Sequence, residues 1–577
     1  MPMDRDDQSI NHLLNVLSRD KSLSSEAVLN NLVYYTPRTK SVKQLIRLVN
    51  AIFQGTSRAQ FDVLEVFEMS QAIVEWKLEI SEPVISPVEF FRIWDLCFRG
   101  CYSWTKWKLS ILAGILSTRE KFRSLQAGNF VDDSGQIMKL YDSWKRDIFI
   151  PTWCEFVKSS NSDIGKLVLI YGVISSPSDA CKYGFLPWNV VTVHLSRLFL
   201  RHITGGQAVR DSGEAFFDKN LSRMAKTLQT SLAKSEKRVI TDFLSLLCRG
   251  SYDLAFLELR NQTQVKDYSN QYFSHILFTA VVSLNSILQA TARAPISWYV
   301  QIIMILFNLN FITEDLGVVG FDSYQSVYEI ACTGIALADE QTVYFDTVKV
   351  MNGNIWIGSS SGNKINRAKL LFMLKFMGST LSELSSIPIP FIKEFILPLQ
   401  RLYMDCPDEN IRESTHIMTL SIFTSHNNNT DFLQWECQNY LPYLDLSTNQ
   451  FLQQKISDKQ LMLIYQKLST QLPILQLVSR HLSREALHYT YLKILNCHSL
   501  NAQAVLLKCL IYQILYSNEQ HLVDWLDTTQ ELLSSIKFTH EQRHDIITTL
   551  WDVLSHSKSD AAFKWWYGQV DGLRSRL

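Results

Sequence analysis

Residues that break regular structure are scarce in this chain: 21 glycines and 14 prolines are spread over 577 positions. A sandwich or barrel needs a Gly- or Pro-rich turn about every ten residues, and a chain so poor in them cannot supply it. Long helices joined by few loops are the alternative. Apolar residues make up 46%, a normal share for a folded chain and too high for a disordered one. Lys+Arg and Asp+Glu both number 56, so no net field draws nucleic acid or an anionic membrane. A nucleic-acid partner is therefore not expected.

The apolar pattern has the helical period. From Ser41, apolar residues fall at Val42, Leu45, Ile46, Val49, Ile52 and Phe53, the stripe of an amphipathic helix. Ser41 suits the N-cap and Gly55 the C-terminal stop. A second stripe holds Leu461, Ile464, Tyr465 and Leu468, with Ser457 or Asp458 as cap. A third runs Leu522, Trp525, Leu526, Thr529, Leu532, Leu533 and Ile536. Breaks are expected near Thr36-Pro37, Glu82 to Pro87, Gly205-Gly206, Pro295, Asn352 to Asn363, Pro388 to Pro390, Cys406-Pro407 and His426 to Asn429. Gly205–Asn220 and Asn352–Lys364 read as loops. Thr342–Val350 alternates loosely but reads as helix in this setting.

No signature recurs at a fixed period, so tetratricopeptide and leucine-rich repeats are not supported. The expected fold is all-α, an irregular HEAT-like helical solenoid in which each unit buries its apolar face against its neighbours. We divide the chain into helical regions 1–204, 221–351 and 365–567 and an exposed tail, 568–577. The central region has the most apolar helices. Two stretches there, Tyr268–Ala292 and Ala294–Thr313, lack formal charge but carry Asn270, Gln271, His275, Asn285, Asn308 and Asn310. A span wants about twenty predominantly apolar residues; the two read as buried core helices.

The ten cysteines are scattered and mostly in apolar stretches, as expected of structural thiols in a disulfide-free setting. Cys97 and Cys101 are half a metal site without a matching pair at zinc spacing. Gly358-Ser359-Ser360-Ser361-Gly362 matches G-x-S-x-G by letter, but a nucleophile elbow needs a strand before it and a helix after it. A polar linker is the better account. Glu79 and Glu82 read as a solvated helix end, and His488 as a helix-surface or packing residue. Walker loops, H-E-x-x-H and a strand-borne G-x-G-x-x-G are absent from the sequence. The expectation is a chain without catalytic residues, cofactor or metal. Trp94, Trp104 and Trp107, like Trp565, Trp566 and Tyr567, are expected in the core or at a partner interface.

The chain ends in Ser575-Arg576-Leu577, the small, basic, leucine pattern of the type 1 peroxisomal targeting signal. A receptor would hold the free carboxylate by hydrogen bonds, Leu577 in an apolar pocket and Arg576 against an acidic wall. The acidic, polar start from Met1 to Asp7 does not read as a signal or transit peptide.

Several blocks precede this tail: Asn31-Leu32-Val33-Tyr34-Tyr35-Thr36-Pro37-Arg38-Thr39-Lys40-Ser41, Trp76 through Pro83, Glu413-Ser414-Thr415-His416, Leu468-Ser469-Thr470-Gln471-Leu472-Pro473 and Lys564-Trp565-Trp566-Tyr567. In this order and at this length they resemble the peroxin-8 family, the peroxisomal biogenesis factor 8 of fungi. The resemblance implies a peroxisomal matrix protein, peripheral on the inner face of the membrane and without enzymatic activity. It implies an organiser that links the receptor-docking complex to the RING-finger complex and contacts the type 1 targeting-signal receptor, with a proposed part in cargo release. Only Ser575, Arg576 and Leu577 carry over as functional residues, Arg standing where Lys is commoner. The competing expectation is a matrix enzyme delivered by the same tail.

Overall fold

The computed structural model describes residues 9–574 apart from 16–24, 56–60, 128–134, 160–162, 205–210, 262–269, 318–321, 356–362, 426, 428, 517–518 and 558. Every regular element among the described residues is helical, as the shortage of breakers requires. The chain divides into two compact units, Met1–Val327 and Tyr328–Leu577.

In the first unit the helices stack in two layers. One layer runs Ser25–Tyr35, Val63–Glu79, Lys106–Ser117, Ile164–Ile174, Leu221–Leu232 and Asn270–Ala290, each against the next. In the other, Val42–Gly55 packs on Pro87–Arg99, and Trp188–Thr204 on Lys237–Asn261 and that on Ile296–Leu316. Layer neighbours run parallel, as the register of their bonds shows. Trp298 Nε1 donates to Thr241 Oγ1 (2.9 Å), Gln301 Nε2 to Ser245 Oγ (2.9 Å) and Asn308 Nδ2 to Ser251 Oγ (3.3 Å). Both numbers of each pair rise together. Antiparallel hairpins stacked side by side give this pattern, and it is the arrangement of a helical solenoid.

The second unit repeats the plan. Its continuous layer is Lys364–Thr380, Glu409–Phe423, Asp458–Ser469, Leu500–Ile514 and His540–His556, each touching its successor. Against it lie Thr342–Gly353, Leu397–Tyr403, Thr430–Leu452, Leu482–Asn496 and Glu519–Ser535. Asp560–Arg574 closes the end against the last two helices, so helix continues to residue 574.

The closest approaches need a missing side chain. A Cβ at Gly114 would collide with Ser70 Oγ and the Phe67 carbonyl on the parallel helix. At Gly378 it would lie 2.8 Å from Ile417 Cγ2.

The three apolar stripes are buried, with one rotation. In Val42–Gly55 it is Leu48 that points inward, while Ile46 is 38% exposed. Ser457 caps its helix in a full capping box with Gln460. Thr529, the polar member of the third stripe, is buried with its hydroxyl on the Trp525 carbonyl (2.8 Å). Thr342–Gly353 is helical, as expected. The Gly205–Asn220 loop is a correction: Ser212–Lys219 is a helix, capped by Asp211 Oδ1 on the Glu214 N–H (2.8 Å). Pro442 lies inside Thr430–Leu452, and two further prolines sit where one helical segment runs on into the next. These two each follow a π-turn, Trp144–Phe149 before Pro151 and Ile392–Ile396 before Pro398. Proline has no N–H for the carbonyl four residues back, and the wider turn accommodates that loss.

Two helices are long and apolar enough to cross a membrane, Gln271–Ala290 and Ile296–Leu316. In the second, 72% of the most apolar window is buried in protein, and its polar residues make the inter-helix bonds given above.

Gly114→Ala should lower the urea midpoint of unfolding, costing about 1–3 kcal/mol by overpacking. Gly184→Ala, with nothing within 4 Å of the new Cβ, should stay within about 0.5 kcal/mol of the parent. Equal effects would remove Gly114 from its packing role.

Candidate functional site, a buried polar network beside an aromatic groove

Within the second unit, Glu409–Phe423, Thr430–Leu452 and the turn after Leu397–Tyr403 enclose a polar network. His416 is 5% exposed on the inward face of its helix. Its Nε2 lies 2.7 Å from Gln450 Oε1 and its Nδ1 3.0 Å from the Tyr443 hydroxyl. Gln450 Nε2 donates to the Met404 carbonyl (2.8 Å), which leaves Gln450 Oε1 as acceptor. The His416 proton therefore sits on Nε2, and Nδ1 accepts from Tyr443. Burial, with Arg412 one turn away, pushes the imidazole pKa down to about 4, and the ring is neutral. Arg412 ties two loops together by donating to the carbonyls of Cys406 (2.8 Å) and Lys455 (2.7 Å). Hydrogen bonds from a charged donor are worth about 1.5–3 kcal/mol each. Their work here is to fix backbone that belongs to no helix.

A groove of about 300 Å³ opens beside this network, between the end of Leu397–Tyr403 and the Thr430–Leu452 helix. Gln400, Arg401, Met404 and Asp405 form one wall, and Trp435, Asn439, Pro442, Tyr443 and Leu446 the other. Thr419 and Phe423 make the floor. Phe423 is stacked between Trp435 (5.8 Å) and Tyr443 (5.6 Å), an arrangement worth about 0.5–1.5 kcal/mol per pair beyond burial.

The charges around the groove are unequal. Asp405 is paired with Lys455 Nζ at 2.5 Å. Glu436, next to Trp435, is 2% exposed and its pKa is pushed up to about 9 by desolvation, so at neutral pH it carries no charge. Arg401 is exposed. Pro442 leaves the Gln438 carbonyl without its helical donor.

The residues singled out from sequence have varied surroundings. Ser575, Arg576 and Leu577, like Gly358–Gly362, lie outside the described residues. Glu79 ends its helix paired with Lys121 (2.6 Å), Glu82 is exposed, and His488 is exposed beside Tyr491. All ten cysteines are free, but only Cys154, Cys332 and Cys509 are buried and Cys181 is exposed, so burial is less general than expected. Desolvation drives the Cys97 thiol up to about 12. Among the described residues no three His, Cys, Asp or Glu side chains are grouped to hold a metal. Trp94 is buried against Phe98, and Trp104 packs on Phe53.

The blocks that carried the family resemblance have structural partners. Asn31–Ser41 and Trp76–Pro83 meet: buried Lys77 donates to the Pro37 carbonyl (3.4 Å), and the Arg38 guanidinium lies over the Tyr34 and Trp76 rings (4.2 and 5.0 Å). Glu413–His416 carries the network histidine. In the last block, Trp565 Nε1 donates to Asp527 Oδ1 (2.7 Å) and Trp566 packs on Trp551.

Comparison with known proteins agrees with this. The chain is 28% identical to Peroxisomal biogenesis factor 8 of Saccharomyces cerevisiae over 594 aligned residues, 98% of each chain. Residues 434–576 match the PEX8 C-terminal domain. The chain is similar to peroxisomal biogenesis factor 8 along its whole length, and its C-terminal quarter matches that family's domain. That similarity supports a peroxisome biogenesis factor. Shorter similarities join it to the same factor of Pichia angusta (32% identity, 22% of this chain and 19% of that one) and Komagataella phaffii (30%, 26% and 23%). Among solved structures, Kap121p bound to Nup53p aligns with TM-score 0.45 and 11% identity over all of this chain and 52% of its own. Importin beta aligns with TM-score 0.33 and 10% identity, over 98% of this chain and 79% of its own. The solenoid assignment rests on the helix pairing described above.

The network also sets a pH response. The His416 pKa is depressed in the folded state, so its contribution is complete above 6.5 and is lost as pH falls toward about 4. His416→Gln should cost about 1–2 kcal/mol at pH 7. Between pH 6.5 and 4 it should lose less stability than the parent, read from urea midpoints at both ends. An unchanged slope would show that His416 does not titrate on unfolding.

Proposed function

We propose that this chain is a non-enzymatic scaffold for protein import into the peroxisome matrix. It works from the lumenal side, linking the receptor-docking complex to the RING-finger complex and contacting the type 1 targeting-signal receptor, with a part in cargo release. The observation that carries this reading is the similarity to Peroxisomal biogenesis factor 8 over 98% of both chains. A helical stack supports it, because such a stack leaves an extended surface for partners. Attachment to the inner face of the membrane would come through those partners, since the two helices long and apolar enough to cross a membrane have 56% and 72% of their most apolar windows buried in protein. Ser575, Arg576 and Leu577 serve in this reading as the address that the import receptor captures.

Deleting residues 575–577 from an N-terminally tagged chain should leave it cytosolic, and matrix import should then fail generally at equal expression. Import of the truncated chain would remove the tail from its proposed role. Full-length chain that never meets a peroxisomal marker would overturn the scaffold reading. Carbonate washing should release the full-length chain from the membrane pellet; a matrix enzyme would not pellet at all.

A further inference from the structure

The aromatic groove has the chemistry of a peptide site. Its volume, about 300 Å³, is at the lower end of the range for ligand pockets, roughly 300–1,000 Å³. That holds one large side chain and its backbone rather than a whole helix. The Trp435, Phe423 and Tyr443 rings, with Met404 and Leu446, offer an apolar seat that prefers another aromatic ring.

Charge selects the flanking residues. Asp405 is neutralised by Lys455, which leaves the exposed Arg401 guanidinium as the net charge at the mouth. A guanidinium favours a carboxylate, which it can grip through two parallel hydrogen bonds.

The geometry points to a docking site for a short acidic segment of a partner protein, with one aromatic side chain seated on Trp435, Phe423 and Tyr443 and a carboxylate on Arg401. This deepens the scaffold reading and rests on it for the existence of such a partner.

The probe is an end-blocked, fluorescein-labelled hexapeptide with one tryptophan flanked by glutamates, titrated against the full chain by anisotropy. Saturable binding is expected, weakened about tenfold or more when lysines replace the glutamates, as at a charge-matched hot spot. Asn439→Trp, which fills the groove, and Arg401→Glu, which reverses its charge, should each cause a loss of similar size. Arg401 is exposed, so its variant remains informative if Asn439→Trp fails to fold. Absence of saturable binding, equal binding of both peptides, or indifference to Arg401→Glu overturns the proposal. So does concentration-dependent sedimentation of the parent that Asn439→Trp abolishes, which would give the groove to a second copy of the chain. Arg401→Glu chain that reaches peroxisomes and restores import while the parent fails to bind the peptide would sink the groove alone. Chain that never reaches peroxisomes would sink the scaffold reading beneath it.

Discussion

Each interior helix here must bury two faces, one against its hairpin partner and one against the parallel helix two places along. The stack depends on meeting both demands at once. It explains why Ile164–Ile174, Ile296–Leu316 and Leu500–Ile514 are apolar on nearly every side. A helix that is hydrophobic all round belongs in a core or a membrane. What decides for the core in Ile296–Leu316 is the placing of its polar residues. Trp298, Gln301 and Asn308 each meet a hydroxyl on the parallel helix Lys237–Asn261. In hydrocarbon those groups would be costly orphans; here they set the register.

The second unit meets the same demand less evenly. Its inner layer is continuous, and Gly378 lets two of those helices approach closely. Outside it, Leu397–Tyr403 is short and follows a π-turn, and beyond it the chain must turn through Met404–Asp408 before re-entering the inner layer. Such a turn has backbone carbonyls with no helical donors, and buried ones need partners. Arg412, Gln450 and, through it, His416 meet that need at Cys406 and Met404, and Arg412 also ties in Lys455 of the neighbouring loop. The groove is the space that the short helix does not fill. Network and groove thus have one cause, and a polar cluster that resembles catalytic machinery is accounted for by backbone satisfaction. His416 has both ring nitrogens engaged and its proton held on Nε2.

How much of this was readable in the sequence follows from how local each cause is. Helix class, the stripes and most loops follow from breakers and period, which act within a few residues. The Ser457 cap is as local as a signal can be. Ile46 and Leu48 exchange places because the buried arc is set by the neighbouring helices, not by the stripe alone. The Ser212–Lys219 helix was hidden behind Gly205-Gly206 and Gly213, although Asp211 with Glu214 carries a cap signal in hindsight. Pro151 and Pro398 show that a proline need not end a helix where a π-turn precedes it. The site was the least legible part. His416 stood in a quoted block, but its partners Tyr443 and Gln450 lie 27 and 34 residues away, and Arg401 gains meaning only from the gap beside it.

Two buried titratable groups of the second unit show that burial alone does not decide whether a polar group is well placed. Burial leaves both Glu436 and His416 uncharged near neutral pH, but they come to it in different settings. His416 is neutral within a satisfied network. Glu436 has an oxygen without a hydrogen-bond partner and is kept protonated by desolvation. A buried carboxyl with a raised pKa makes the fold less stable as pH rises from 4.5 toward 9, so Glu436 costs stability at neutral pH that an apolar residue would not. The same burial thus leaves one group satisfied by its partners and the other neutral at a cost to the fold.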